Sequence, residues 1–371
     1  MHTDLFRELP TDSGPFVSVY VDGSHNTENA THSMELRWRS LREQLESDGA
    51  PTAALDHIQT ALLDGERPVG VSGRGLVATA ERVVLDQQLI RPPTASVARY
   101  STLPFLVPLV THARDVGSHM IAVVDHRGAD IQIVHGDDVA YSETVAGEGH
   151  PVHKATGAET PGYGDPQPRA EEQARQNIRD VVDRLTSLVD RERPDVLFVV
   201  GESRSVSDLT AQLPQRIEDV VVNLGLGARG SVADSEISGA VDAEWLRRHN
   251  RVLAEVTDRF RAEQGRSSGL AVEGLTAVCG ALRAGEVQTL LIGDIDDATV
   301  VVGEDLMMVA PSPENLSELG APPNDVVRAD EALPMVAVCT HSDLVSLDER
   351  LAPKDGIAAL LRYAPRTSAG G

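Results

Sequence analysis

Between residues 120 and 189 the hydrophobic period of the chain changes from two to 3.6, and the change falls across a stretch rich in glycine and proline. Ahead of it, residues 120–125, 130–135 and 139–144 alternate apolar and polar side chains. They are separated by an Arg127-Gly128 turn and a Gly136-Asp137-Asp138 turn, the pattern of a three-stranded meander. Behind it a helix is expected to start after Pro168, with Glu171 and Glu172 in its first turn. Ala174, Ile178, Val181, Leu185, Leu188 and Val189 form its apolar stripe. A half-apolar sheet and a striped helix bury their faces against each other, so the middle of the chain is expected to be an α/β unit.

The rest of the chain alternates in the same way. Residues 16–22 read as a strand, 31–46 and 53–63 as amphipathic helices, 74–100 as two or three strands, and 105–113 as a short apolar helix. Beyond the middle helix, Pro194 is a stop and residues 196–200 are a buried strand. A helix over 205–213, a strand over 220–224 and a long helix over 231–264 follow, the last with Ser231-x-x-Asp234 as its capping box and Gly265 as its terminator. A further helix is expected to bury Val272, Leu275, Cys279 and Leu282 and to stop at Gly285, ahead of a strand over 287–292. The fold class is therefore α/β, with domains expected at 1–117, 118–265 and 266–371. The middle domain holds a mixed sheet and a long Gly/Pro-rich loop, and the last is an α/β/α sandwich.

The net charge of −24 excludes a generally basic, nucleic-acid-coating protein and confines any RNA contact to small local patches. Lys154 and Lys354 are the only lysines among 33 basic residues, so such patches are built of arginine, which suits planar phosphate and base contacts. Two cysteines, Cys279 and Cys339, fit a reducing compartment. No apolar run is long enough to span a bilayer, and the first residues lack the pattern of a signal peptide, so a cytoplasmic location without membrane contact is expected.

The segment from Ala146 to Arg169 concentrates the chemistry. Its glycines and prolines interleave with His150, His153, Lys154, Tyr163, Gln167 and Arg169, residue types that stack on bases and contact phosphates. Long loops in compact domains are binding loops or plain insertions, and composition leaves both readings open. His150 and His153 offer two imidazoles, but no cysteine or acidic cluster joins them, so no metal is expected. Gly225-Leu226-Gly227-Ala228-Arg229-Gly230 matches G-x-G-x-x-G and offers a nucleotide site. Against it stand the length of the helix behind and the lack of a second parallel strand, so no cofactor is expected. Arg37, Arg39 and Arg42 form one candidate basic face on the first helix; Arg247, Arg248 and Arg251 form another on the long helix.

Three segments resemble the archaeo-eukaryotic release factor and Pelota superfamily: IAVVDHRGADIQIVHG at 121–136, EGLTAVCGALRAGEVQTLLIG at 273–293 and GIAALLRY at 356–363. The run Pro151-Val152-His153-Lys154 followed by Gly162-Tyr163-Gly164-Asp165 is similar to its bacterial branch, which includes a ribosome hibernation factor. The resemblance covers about 118–365 and leaves the first domain weakly matched. It implies occupancy of the ribosomal A site, with the first domain at the decoding centre and the middle loop toward the peptidyl transferase centre. It also implies delivery by, or contact with, elongation factor Tu, and a P-site tRNA is a further candidate partner.

Release factors of the superfamily carry adjacent Gly-Gly-Gln at the loop tip. Here Gly162-Tyr163-Gly164-Asp165-Pro166-Gln167 breaks the adjacency with bulk, charge and a fixed φ, and the stop-codon motif Asn-Ile-Lys-Ser is missing from the first domain. The expectation is therefore a non-enzymatic factor that protects idle or stalled ribosomes. Its contacts to rRNA or tRNA would come from His150, His153, Lys154, Gly162, Tyr163, Gly164, Asp165, Gln167 and Arg169, with Arg37, Arg39 and Arg42 on the small-subunit side. A peptidyl-tRNA hydrolase or rescue release factor using the same loop is the enzymatic alternative, and a nucleotide-binding protein using Gly225 to Gly230 is a second one.

Overall fold

The computed structural model describes residues 6, 9–24, 30–64, 72–112, 117–136, 138–146, 166–348 and 350–364, with the backbone alone at 30, 138 and 166–170. The chain forms two compact units, one made of residues 1–114 and 248–371 and the other of residues 115–247. The second unit is thus inserted into the first.

The first part of the outer unit holds β1 (Phe16–Asp22), α1 (Ala30–Ser47), α2 (Thr52–Asp64), β2 (Gly73–Ala78), β3 (Val83–Leu89), β4 (Val97–Ser101) and α3 (Val107–His112). Its four strands form an antiparallel sheet in the order β3-β2-β1-β4. The period of two in β1 explains its layering. Val17, Val19 and Val21 face Trp38, Leu41 and Leu45 of α1 and Leu55 and Ile58 of α2. Phe16 and Tyr20 face the opposite way, into a core that continues through Leu106 and Leu109 to the last third of the chain.

The inserted unit holds β5 (His119–Asp125), β6 (Gly128–His135), β7 (Asp138–Ala146), α4 (Pro166–Glu192), β8 (Val196–Gly201), α5 (Ser203–Thr210), α6 (Gln215–Glu218), β9 (Val221–Asn223) and the first half of α7 (Asp234–Arg266). Its mixed sheet runs β7-β6-β5-β8-β9, with the meander antiparallel and β5-β8-β9 parallel. Met120, Ala122 and Val124 pack with Ile178, Val181, Leu185 and Leu188 of α4 and with Leu209 of α5. The alternate residues Ile121 and Val123, with Phe198 and Val200, meet Ile237 and Val241 of α7 on the other face. The expected apolar stripe of α4 is the one that is buried, although the helix begins at Pro166, so Glu171 and Glu172 lie beyond its first turn. The long helix also starts later than expected, at Asp234. The hydroxyl of Ser231 donates to the Ala228 carbonyl instead of capping, and the residue at positive φ after the helix is Ser267 rather than Gly265.

The last part of the outer unit holds β10 (Ala271–Glu273), α8 (Leu275–Arg283), β11 (Val287–Ile292), β12 (Thr299–Val302), β13 (Val309–Ala310), α9 (Pro313–Glu318), β14 (Asp325–Arg328), α10 (Ala329–Cys339), β15 (Asp343–Ser346) and β16 (Ile357–Leu361). One sheet runs β10-β16-β11-β15 and a smaller one β13-β12-β14. Leu290, Ile292, Ala359 and Leu361 face α8 and α10, while Leu291, Ala358 and Leu360 face Phe260 on the second half of α7. Helices thus flank this sheet on both faces, as expected, but one layer comes from α7, ahead of the expected boundary at 266, and a small sheet is added. Val272 lies in a strand and not in the helix that its spacing suggested, because Gly274 at φ +84° breaks the chain between them. Among the described residues no helix is long and apolar enough to cross a membrane.

Candidate functional site

The candidate loop follows β7 and precedes α4 in the chain, so what the structure fixes is the frame of the loop. His150, His153, Lys154, Gly162, Tyr163, Gly164 and Asp165 lie outside the described residues. Gln167 and Arg169 fall on the first turn of α4, where only the backbone is described.

Three contacts brace that frame. Gly128, at the start of β6, pairs with Ala146, the last residue of β7. A methyl group at Gly128 would overlap the carbonyl of Val145, so only glycine lets β7 close onto the sheet where the loop departs. Next along β7, the Glu143 carboxylate accepts from Arg184 Nε at 2.6 Å and Nη2 at 2.9 Å, a two-pronged contact that ties the strand to α4. On the third strand pair, Asp130 accepts from Thr144 at 2.7 Å and from Arg229 Nε at 2.6 Å. Hydrogen bonding by Arg229 holds the Asp130 carboxyl below its ordinary range, and hydrogen bonding by Arg184 does the same for Glu143.

A pH dependence follows from those two carboxylates. Both are depressed in the fold, so their stabilisation is complete above the unfolded carboxylate range, at about pH 4, and is lost as pH falls through the lower folded values. The inserted unit is expected to melt at progressively lower temperature below about pH 5, with no corresponding loss between pH 6 and 8. The two tryptophans report the units separately. Trp38 is buried in the outer one, while Trp245 packs against His119 and Phe198 in the inserted one. Thermal melts of a Trp38→Phe variant, followed through Trp245 fluorescence, check the expectation; a melting temperature independent of pH from 6 to 3 overturns it.

The pairs Asp130–Thr144, Glu143–Arg184 and Asp130–Arg229 carry no mark in the sequence. Their members lie 14, 41 and 99 positions apart, and no local pattern marks such pairs. Arg229 had looked like a filler position of G-x-G-x-x-G. In the structure Gly225 and Gly230 do take positive φ, but Arg229 turns onto Asp130 and Asp125, and the Glu236 carboxylate accepts from the Ala233 amide at the mouth of α7. The Ala233 amide and the Arg229 guanidinium are thus already engaged by carboxylates of the chain itself.

The arginine faces divide. Arg37 donates to the Asp22 carbonyl at 2.7 Å, and Arg42 donates to Glu46, Gln59 and Asp56 at 2.8–2.9 Å, tying α1 to β1 and α2. Arg39 stays exposed. On α7, Arg247 pairs with Glu244 at 2.6 Å. Among the described residues no group of three or more histidine, cysteine or acidic side chains is arranged to hold a metal ion.

Residues 118–266 match the family model for bacterial archaeo-eukaryotic release factor family 2. The whole chain is 44% identical, over 371 residues and 99% of the relative's length, to the uncharacterized protein Rv2629 of Mycobacterium tuberculosis. Among solved structures it is similar to Archaeoglobus fulgidus Pelota, at 12% identity and a TM-score of 0.37, covering 97% of this chain and 92% of that one. It is also similar to a model of ribosome-bound archaeal Pelota with ABCE1, at 16% identity and a TM-score of 0.39, covering 97% and 94%.

Proposed function

This chain belongs to bacterial archaeo-eukaryotic release factor family 2, and from that premise we propose that it is a translation factor that fills the A site of idle or stalled ribosomes and preserves them without releasing peptide. The observation that carries the reading is the pairing of a release-factor-type middle segment with a loop whose Gly-Gly-Gln is replaced. A braced meander and a 27-residue helix frame that loop, and its sequence there is Gly162-Tyr163-Gly164-Asp165-Pro166-Gln167. Adjacent glycines let a backbone approach an ester closely. Tyr163, Asp165 and Pro166 take away that freedom and leave a segment suited to filling a site. In this reading His150, His153, Lys154, Gln167 and Arg169 meet rRNA or the tRNA acceptor end, and Arg39 is the first-helix residue best exposed for small-subunit RNA. Elongation factor Tu, a P-site tRNA and a cytoplasmic setting belong to the same proposal.

Two measurements test it. The protein is expected to co-sediment with 70S ribosomes at low salt, more from starved than from growing cells, and free protein in both would overturn the proposal. Mixed with ribosomes carrying labelled peptidyl-tRNA, it is expected to leave the peptide attached. Rapid release would replace this reading with the enzymatic one.

A further inference from the structure

Within the inserted unit, α4 and α5 lie on the same face of the sheet and enclose a groove of about 680 Å³. Its floor is set by topology. His126 directly follows β5 and Glu202 directly follows β8, so the groove opens at the carboxyl ends of two adjacent parallel strands. From that point β5 leads to the meander on one side and β8 leads through α5 to β9 on the other. Open α/β sheets take their ligands outside the carboxyl ends of their parallel strands.

The walls carry three guanidinium groups. Arg175 and Arg179 stand one turn apart on α4, and Arg204 stands on α5 across from them. All three are exposed, at 65%, 50% and 83%, and their carboxylate neighbours are loose: Glu172 at 3.6 Å from the first two and Asp208 at 4.0 Å from the third. The framing pairs, by contrast, close to 2.5–2.6 Å. Exposed ion pairs of the loose kind are worth only about 0–1 kcal/mol, so exchanging such a carboxylate for another anion costs little. The start of α5 adds a second attraction: the Glu202 side chain at its N-cap makes no capping hydrogen bond, and the amino end of a helix favours an anion.

We propose that this groove binds the phosphate backbone of an RNA strand, with Arg175, Arg179 and Arg204 as the contacting side chains. This rests on the ribosomal reading and gives it a second contact surface, separate from the loop. Guanidinium planes suit phosphate oxygens. The acids Glu171, Glu202 and Asp208 along the same walls repel a polyanion that enters out of register, so contact is oriented and not general.

The test compares wild type with a triple Arg175→Ala, Arg179→Ala, Arg204→Ala variant and a triple lysine variant. Two probes are used from 50 to 300 mM salt: purified 70S ribosomes, and a fluorescent single-stranded RNA oligonucleotide. The alanine variant is expected to bind both on the order of tenfold more weakly and to flatten the salt slope by about 2, since each lost phosphate contact removes about 0.7–0.9. The lysine variant is expected to keep the slope and lose part of the affinity. Unchanged melting through Trp245 confirms that the variants are folded. If the alanine variant binds both probes like wild type, or wild type binds neither, the groove proposal is wrong. If wild type binds the oligonucleotide through these arginines but not the ribosome, the groove stands and the ribosomal reading fails.

Discussion

Replacing Gly128 with alanine is expected to lower the melting temperature of the inserted unit by roughly 10 °C, the effect of losing about 3 kcal/mol in a domain of this size. Two costs combine. The backbone at Gly128 takes a φ of +154°, which side-chain-bearing residues rarely adopt, and holding such a conformation costs of order 1–3 kcal/mol. The added methyl also meets a backbone carbonyl, that of Val145, which cannot rotate away as a side chain could. Overpacking against an unyielding neighbour costs about 1–3 kcal/mol. Gly136, in the other turn of the same meander, separates the two contributions. It too has a positive φ, of +62°, but a methyl there meets nothing within 4 Å. Gly136→Ala is therefore expected to cost only the conformational part, about 1 kcal/mol. Trp245 fluorescence melts compare the two; equal losses would mean that the close approach at the loop mouth matters little. Because Gly128 pairs with Ala146, its substitution is also expected to weaken ribosome association more than its stability cost explains.

The second large effect lies in the outer unit. Arg99 on β4 donates to Asp330 at 2.9 Å and to Glu331 at 3.3 Å, and its guanidinium lies 3.5 Å from the centre of the Phe105 ring. Both carboxylates are nearly buried, at 9% and 3% side-chain exposure. Ser101 on the same strand also donates to Glu331. Asp330 keeps Arg328 at 3.0 Å, so the loss of Arg99 leaves the buried Glu331 charge uncompensated, which costs about 3–5 kcal/mol. Arg99→Leu keeps much of the contact with Phe105 and so isolates the charge. Trp38 fluorescence in urea is expected to show that loss, and Glu331→Gln in the same chain is expected to recover a large part of it. Burial already pushes the Glu331 carboxyl upward from its ordinary value. A raised carboxyl pKa means that its charged form opposes folding, so this penalty is present at neutral pH and relieved as pH falls through the folded value. The Arg99→Leu defect is expected to shrink as pH falls from neutral toward the ordinary carboxylate range, opposite in sign to the acid response of Asp130 and Glu143. A defect that is constant with pH would show that Asp330 or packing, and not Glu331, carries the loss.

What was legible in the sequence is what repeats. The meander, the stripe of α4 and the valine alternation of β1 repeat every two or 3.6 residues, and each was found within a few residues of its place. Single residues that override a period were harder to read. Gly274 turned an apparent helix at Val272 into a strand, and Glu236 took the capping role expected of Ser231 and Asp234. Pro334 sits inside α10, a helix buried on every side, where no polar face remains to reveal the period. The site divides in the same way. Residue type marked the loop, since few segments gather so many glycines, prolines and base-stacking side chains. The frame went unseen because Arg184 and Arg229 resemble every other arginine until folding brings Glu143 and Asp130 to them. The groove on α4 and α5 is likewise a product of strand order, which no local pattern encodes.

The insertion of one unit within the other has a consequence for how the chain comes to be folded as it is made. Residues 115–247 are contiguous, so this unit can close while the remainder is still being synthesised. The outer unit must wait: β16, the next-to-edge strand bonded to both β10 and β11, ends at Leu361. Until α10 is made, Arg99, Phe105 and Leu109 have no Glu331 or Leu333 to meet, and the early sheet carries an uncovered apolar face through the production of more than two hundred residues. Newly made chains therefore pass through a stage with one finished unit and one half-built one, the stage at which assistance from chaperones would matter most.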